Sequence, residues 1–480
     1  MEGDLMKRDV NALDQLLERR IKEHGYTGVA VCIRGPEGVM YERGFGLRSV
    51  EHQKPVDGNT VFGIASMSKS FTTLACCILH TEGKLNLDDP ICKYFPNLHI
   101  PGIPDECLTL KSIGMNRSGI PPMEPLEWSI AMNSVERDTK LHREMVNSAP
   151  NKMETIDQIV DYLSLGKYGN LGAPGEYMSY LNEGFALLSY VVDQAAGITL
   201  EEFLMERIFK PLGMTRSILD LDCSEARALA GDDNITSLFE KDEDGKLVWD
   251  DDWSVLPPFR GCACIKSTAL DVTKYYQMLS NWGVYEGVQI VPREAVELLI
   301  GREYPLKRKP FYCQALRKSL VAGKMICEHA GALHGVSTQG GFVEGGYSVA
   351  VLCNDSEVDM QDLQWICYNY ILGQPLETDL NWAVPSGKKF SAPEMLTGHY
   401  IIHEGIPGHC IVSVEDGEII CVENGEKLLL KHCEKTVFAV YKASKPEERI
   451  ATYRFFVKDG KAWGLKTGSR ICQRLEETQL

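Results

Sequence analysis

Ser66, Ser68, Lys69 and Ser70 fall within five positions of GIASMSKSFTTLACCI, where an apolar stretch of helical length begins. A helix turns once in about 3.6 residues, so Ser66 and Lys69, three apart, share a face. If the helix begins at Ser66, its hydroxyl lies beside unpaired backbone N–H groups and the positive end of the helix dipole. A serine needs a base to become a nucleophile. A lysine serves as that base only where desolvation and positive potential disfavour its charged form, and a helix N-terminus in a closed cleft supplies both. The plainer reading is that Ser66 caps the helix and Lys69 points to solvent. Alone, S-x-x-K leaves both open.

Two later clusters add chemistry. In GAPGEYMSYLNEGFALLSYVV, Tyr180 and Asn182 form Y-x-N on a loop between Pro174-Gly175 and an apolar helix from about Gly184. A tyrosine beside a lysine can shuttle protons, and an asparagine can hold a substrate amide; a tyrosine packed at a helix start is the alternative. In CEHAGALHG, His329, Ala330 and Gly331 open a strand. Small residues there let a substrate pair with the strand edge, and a backbone N–H just beyond can face an oxyanion.

The elements that must position these groups follow from periodicity. Val10, Leu13, Leu16, Leu17 and Ile21 predict a helix over residues 9–24, ended by Gly25. GVAVCIRG and GVMYERGFG read as two strands, the first buried on both faces. A helix runs from Ser66 through His80. Residues 121–155 and 217–258 read as long irregular walls. GGFVEGGYSVAVLCND gives two strands around a glycine-rich turn, and residues 358–372 a closing helix. This order implies an α/β (α+β) domain, an antiparallel-rich sheet flanked by helices with a helical region inserted between its halves.

Domain boundaries are expected at 1–375, with a linker at 376–393 rich in turn formers, and a second unit at 394–480. There HYIIH, CIVSV, EIICV, KLLLK, VFAVY, ATYRFF, AWGL and ICQRL alternate with turn signals such as EDGE, ENGE and VKDG. Short strands so spaced imply a small antiparallel β-barrel or sandwich.

Composition bounds the function. The formal charge of -17 argues against a nucleic-acid partner. No apolar run of about 18 residues suggests a membrane span, and the N-terminus lacks an export-signal pattern. None of the 16 cysteines is spaced CxxC, and most lie in apolar runs. Reduced, buried thiols in a cytoplasmic protein are the expectation; a Cys/His zinc site is the rival, without its ligand spacings.

S-x-x-K, Y-x-N and H-x-G, in this order, resemble the penicillin-recognising serine hydrolases, above all class C β-lactamases, D,D-peptidases and the related esterases, D-aminopeptidases and acyltransferases. EGKLNLDDPICKYFPNL, LTLKSIGMNRSGIPP, ERIFKPLGM and STALDVTKYY look like landmarks of the same family. The resemblance covers about residues 10–372, and the terminal unit resembles the lipocalin-like barrels attached to some relatives.

It implies Ser66 as nucleophile, Lys69 and Tyr180 as its catalytic partners, and Asn182, His329, Gly331 and Ala332 as substrate-binding positions. Neither metal nor cofactor is implied. The expected reaction is cleavage of an ester or amide in a small molecule or short peptide through an acyl-enzyme. Acyl transfer to another acceptor is the alternative, ahead of true β-lactamase activity or a non-catalytic binding role. Two departures stand out. Asn116 and Arg117 occupy positions where relatives carry histidine and threonine, read here as a structural change. H-x-G stands in place of K-T-G. The literal K-T-G at Lys466, Thr467 and Gly468 lies in the terminal strands and reads as a hairpin turn.

Overall fold

The computed structural model describes residues 9–133, 140–231, 233–242, 244–301, 310–356, 358–404 and 408–476. The first helix is Val10–His24 (α1); Asp9 accepts from the N–H groups of Asn11 and Ala12, and Gly25 ends it at φ 70°, the left-handed conformation that favours glycine. Three strands follow, Gly28–Gly35 (β1), Gly38–Ser49 (β2) and Lys54–Pro55 (β3). They complete a sheet begun far along the chain by Phe311–Tyr312 (β4), Arg317–Val321 (β5), Lys324–Leu333 (β6), Val336–Val343 (β7) and Tyr347–Cys353 (β8). The eight strands lie in the order β4-β5-β6-β7-β8-β1-β2-β3, all neighbours antiparallel.

The helices that bear on the site are Ser68–Thr81 (α2), Asn182–Ala196 (α3), Arg260–Ala263 (α4), Ala269–Ser280 (α5) and Gln361–Leu372 (α6). β1, apolar but for Arg34, has both its faces covered. Val29, Val31 and Ile33 pack with α1 and α6, while Ala30 and Cys32 join the larger core with α2 and α5. The same alternation on β8 pairs Val349 and Val351 with the first face and Ala350 and Leu352 with the second.

The two walls expected to be irregular carry regular structure. Pro125–Asn133 and Lys140–Ser148 are helices, Ser224–Ala230 is another, and Leu238–Lys241 pairs antiparallel with Leu247–Asp250. These pieces are too short for a periodic signal; tertiary burial of side chains such as Leu126 and Trp128 sustains them.

The terminal unit is a closed barrel of Gly398–Ile402 (β9), Gly408–Glu415 (β10), Glu418–Glu423 (β11), Glu426–Glu434 (β12), Val437–Lys442 (β13), Lys445–Lys458 (β14), Lys461–Thr467 (β15) and Arg470–Arg474 (β16). Inward residues, among them Tyr400, Val412, Cys421, Leu428, Phe438, Phe455 and Leu465, fill it. Asp416-Gly417, Asn424-Gly425 and Asp459-Gly460 all have positive φ, the pairing that tight hairpins require. Pairing of β16 with β9 closes the ring and leaves no edge.

No disulfide forms: all sixteen cysteines are free, and only Cys92 and Cys107 are not buried. Among the described residues, no helix is long and apolar enough to cross a membrane.

Candidate active site

Ser66 sits in a single 3-10 turn, Ala65–Met67, and α2 proper starts at Ser68. Ala65 holds φ 44°, a conformation rare outside glycine and common where backbone geometry is over-determined by its surroundings. Lys69 is fully buried. Its Nζ lies 2.9 Å from Ser66 Oγ and donates to Cys262 O at 3.3 Å. Lys69 therefore does not point to solvent. The neighbouring hydroxyls have structural tasks: Ser68 Oγ accepts from the Ile265 N–H at 3.2 Å, and Ser70 Oγ donates to Met67 O at 2.9 Å. Both are fully buried, whereas Ser66 is half-buried.

The Cys262 carbonyl is presented by α4, which nests against α2 and α3. A Cβ on Gly261 would lie 2.6 Å from Ser189 Cβ and 2.8 Å from Thr72 Oγ1, so only glycine fits between the helices. Thr72 Oγ1 donates to Gly261 O at 2.7 Å, and Arg260 pairs with Glu201 at 2.8 Å and with Asp193.

Tyr180 stands in a short extended segment gripped on both sides. Asn116 O accepts from the Ser179 N–H at 2.9 Å, and Asn116 Oδ1 accepts from the Leu181 N–H at 3.0 Å. Asn116 has φ 53°, which asparagine tolerates better than most residues; its task here is to hold the tyrosine's two neighbours. On the opposite side, the Tyr180 N–H donates to Ser469 O at 2.9 Å. The Tyr180 ring centroid lies 5.0 Å from Lys69 Nζ. Its hydroxyl is buried and has no hydrogen-bond partner among the described residues. Asn182 is not on a loop but is the first residue of α3. Its Nδ2 donates to Glu404 Oε1 at 2.8 Å, while its Oδ1 is buried and unpartnered. The next residue, Glu183, is fully buried, and desolvation pushes its carboxyl up to about 8.

His329 lies in the middle of β6, not at its opening. Its Nε2 is 2.7 Å from Tyr312 Oη, and its ring centroid is 5.9 Å from that of Tyr180. Burial, reinforced by the Lys69 charge, pushes the imidazole down to about 3, so it is neutral at pH 7. Gly331, two residues on, faces the Ser66 turn: a Cβ there would lie 2.4 Å from Ile64 O and 3.1 Å from Ala65 Cβ. Ala332 is exposed and stands opposite Ser337 on β7.

Two residues with no motif also reach the site, both from the barrel. Arg470, the first residue of β16, sets its guanidinium carbon 4.7 Å from the Tyr180 ring centroid. It is paired with Glu404, the acceptor for Asn182. Next to them the Ile471 N–H donates to Ser179 Oγ at 3.1 Å. The K-T-G string does form a hairpin: Lys466 and Thr467 end β15, and Gly468 turns at φ 54°. That hairpin is seated on the tyrosine segment, with Lys466 Nζ donating to Met178 O at 3.3 Å. No spacing along the chain links Arg470 or Glu404 to the S-x-x-K and Y-x-N motifs.

Comparison with known proteins identifies the family. The model of the family described as Beta-lactamase matches residues 13–364. Penicillin-binding protein 4* of Bacillus subtilis is 26% identical over 43% of the chain, and Protein flp of Staphylococcus aureus is 24% identical over 43%. These alignments cover 40% and 37% of the relatives' own lengths, so the chain spans well under half of either. Among solved structures, the octameric penicillin-binding protein homologue from Pyrococcus abyssi is similar over 97% of this chain and 99% of that one, with TM-score 0.66 and 24% identity. D-amino acid amidase from Ochrobactrum anthropi covers 74% of this chain and 94% of its own, with TM-score 0.57 and 21% identity. At these identities the structural likeness concerns the fold.

Proposed function

The chain belongs to the Beta-lactamase family, and on that premise we propose that it is a serine hydrolase cleaving an ester or amide of a small molecule or short peptide through an acyl-enzyme on Ser66. The observation that carries this reading is the 2.9 Å contact between Lys69 Nζ and Ser66 Oγ at a fully buried lysine, with the Tyr180 ring centroid 5.0 Å from the same Nζ. Lys69 and Tyr180 together take the proton as Ser66 Oγ attacks the substrate carbonyl. The N–H groups of Ser66 and Ala332 receive the developing oxyanion; loss of one such donor typically costs about 3 kcal/mol of barrier. Proton return to the leaving group through Tyr180 gives the acyl-enzyme, which water then hydrolyses.

The neutral His329 sets the substrate preference against penicillins. A β-lactam carries a carboxylate, which a cation at this position would hold; an imidazole at about 3 supplies none. The reading is tested with a fluorophosphonate probe, followed by kinetics on p-nitrophenyl acetate, D-amino-acid amides and nitrocefin. The expected result is an adduct on the peptide containing Ser66 and esterase or amidase turnover well above that on nitrocefin. An adduct on another serine would overturn the assignment. Product analysis with added amine or alcohol acceptors distinguishes hydrolysis from acyl transfer.

A further inference from the structure

The barrel does more than sit beside the catalytic domain. Glu404, just after β9, is only 13% exposed and stands against α3. Its Oε1 accepts from Asn182 Nδ2 at 2.8 Å and from Arg470 Nη2 at 2.7 Å. Arg470 in turn lies over Tyr180, and its hairpin accepts the Tyr180 N–H and donates to Ser179. One ion pair of the barrel thus touches both members of Y-x-N.

The chemistry of an amide facing a carboxylate fixes its orientation. An asparagine has a donating and an accepting end, and only the NH2 end can face an ionised glutamate without repulsion. Oδ1 is therefore turned away from Glu404. Asn182 is 3% exposed, and Oδ1 meets no partner among the described residues. Buried polar atoms are nearly always hydrogen-bonded, and an exception calls for a reason. Here two exceptions, Tyr180 Oη and Asn182 Oδ1, lie two residues apart in one segment whose Tyr180 ring centroid is 5.0 Å from Lys69 Nζ. Their adjacency points to a ligand that completes both.

We propose that Glu404, held by Arg470, is a positioning residue: it fixes Asn182 as a hydrogen-bond acceptor, so the substrate carries an N–H donor, an amine or an amide, on its acyl portion. This rests on the serine-hydrolase reading and narrows its substrate class. It also makes the barrel part of the active site, since Glu404 and Arg470 both belong to the barrel.

The test uses the full-length protein and p-nitrophenyl esters of phenylalanine (each enantiomer) and of 3-phenylpropionate. These share the leaving group and carbon skeleton and differ in the α-amine; rates are normalised to spontaneous hydrolysis. The wild type is expected to favour one amine-bearing enantiomer over 3-phenylpropionate in kcat/KM by about tenfold or more, the order that one buried hydrogen bond supplies. In Glu404→Gln the new amide can donate to Asn182 Oδ1 as readily as it accepts from Nδ2, so that preference should collapse toward unity. Glu404→Asp, which keeps the carboxylate, should restore part of it. Asn182→Ala should lose it as well, which covers the case in which Glu404→Gln fails to fold. A merely structural role for Glu404 would slow all the esters alike and leave the ratio unchanged. An unchanged ratio in a folded Glu404→Gln variant, or no preference in the wild type, overturns the proposal while leaving the hydrolase reading intact. Turnover of none of the esters refutes the hydrolase reading and this inference with it.

Discussion

Replacing Gly331 by alanine probes the contact that brings β6 to the Ser66 turn. The added methyl carbon would lie 2.4 Å from Ile64 O, 2.5 Å from Thr338 Oγ1 and 3.1 Å from Ala65 Cβ. The threonine hydroxyl can rotate, but Ile64 O is backbone, and its separation is about 1 Å short of ordinary van der Waals contact. Ile64 and Ala65 lead directly into Ser66, and Ala65 is already held at φ 44°, so the turn has little freedom to absorb the strain. The strand and the turn must part by a comparable distance. A displacement of about 1 Å between reacting groups costs on the order of 10²-fold in rate, and overpacking of this kind costs about 1–3 kcal/mol in stability. Gly331→Ala should therefore lower kcat/KM on p-nitrophenyl acetate about 100-fold, with a lower but still cooperative melting transition. Fluorophosphonate labelling of Ser66 should slow in parallel, since it uses the same geometry. Rates and labelling within threefold of wild type would refute the claim that this approach aligns the site.

The other predictions concern the proton path and the buried ionisable groups. Ser66→Ala should abolish turnover and covalent labelling while leaving the melting temperature within a few degrees; residual labelling of another serine would show the nucleophile to be misassigned. Lys69→Ala and Tyr180→Phe should each lower kcat by orders of magnitude, and the double variant should be little worse than either, because groups acting as one unit are strongly non-additive. Losses that multiply would sink the shared-base mechanism. Glu183 is pushed up to about 8 from a usual 4.5, so between these values the folded chain holds a proton that the unfolded chain has released, and stability falls as pH rises. The span corresponds to about 5 kcal/mol at most. Glu183→Gln should therefore gain in melting temperature relative to wild type as pH goes from 5 to 8, a trend that a flat difference would contradict. His329, lowered to about 3, works at the acid end: between its usual 6.5 and 3 only the unfolded chain binds the proton, so stability falls as pH drops. His329→Gln should soften that loss in acid melts.

What could be read directly from the chain was whatever its own local order encodes. Ser66 and Lys69 share a face because helical geometry places residues three apart together, and their 2.9 Å contact follows from it. β1 was legible as a strand covered on both faces because seven of its eight residues are suited to burial, and the structure buries all eight. The eight barrel strands were legible because Asp-Gly and Asn-Gly turns punctuate them. The walls at 121–155 and 217–258 were not legible, since helices and hairpins of so few residues depend on packing for their stability.

Only the tertiary structure decided which chemistry surrounds Ser66. The Cys262 carbonyl that receives Lys69 is 193 positions away along the chain, and Glu404 lies 222 positions from the Asn182 it orients. No periodicity links such residues, because hydrogen bonds across a folded core depend on where separate elements dock rather than on spacing along one of them. His329 shows the same division. Its place in H-x-G was written in the sequence, but its loss of charge at pH 7 comes from burial beside Lys69, an energy that exists only once the sheet, the serine turn and the barrel have closed around it.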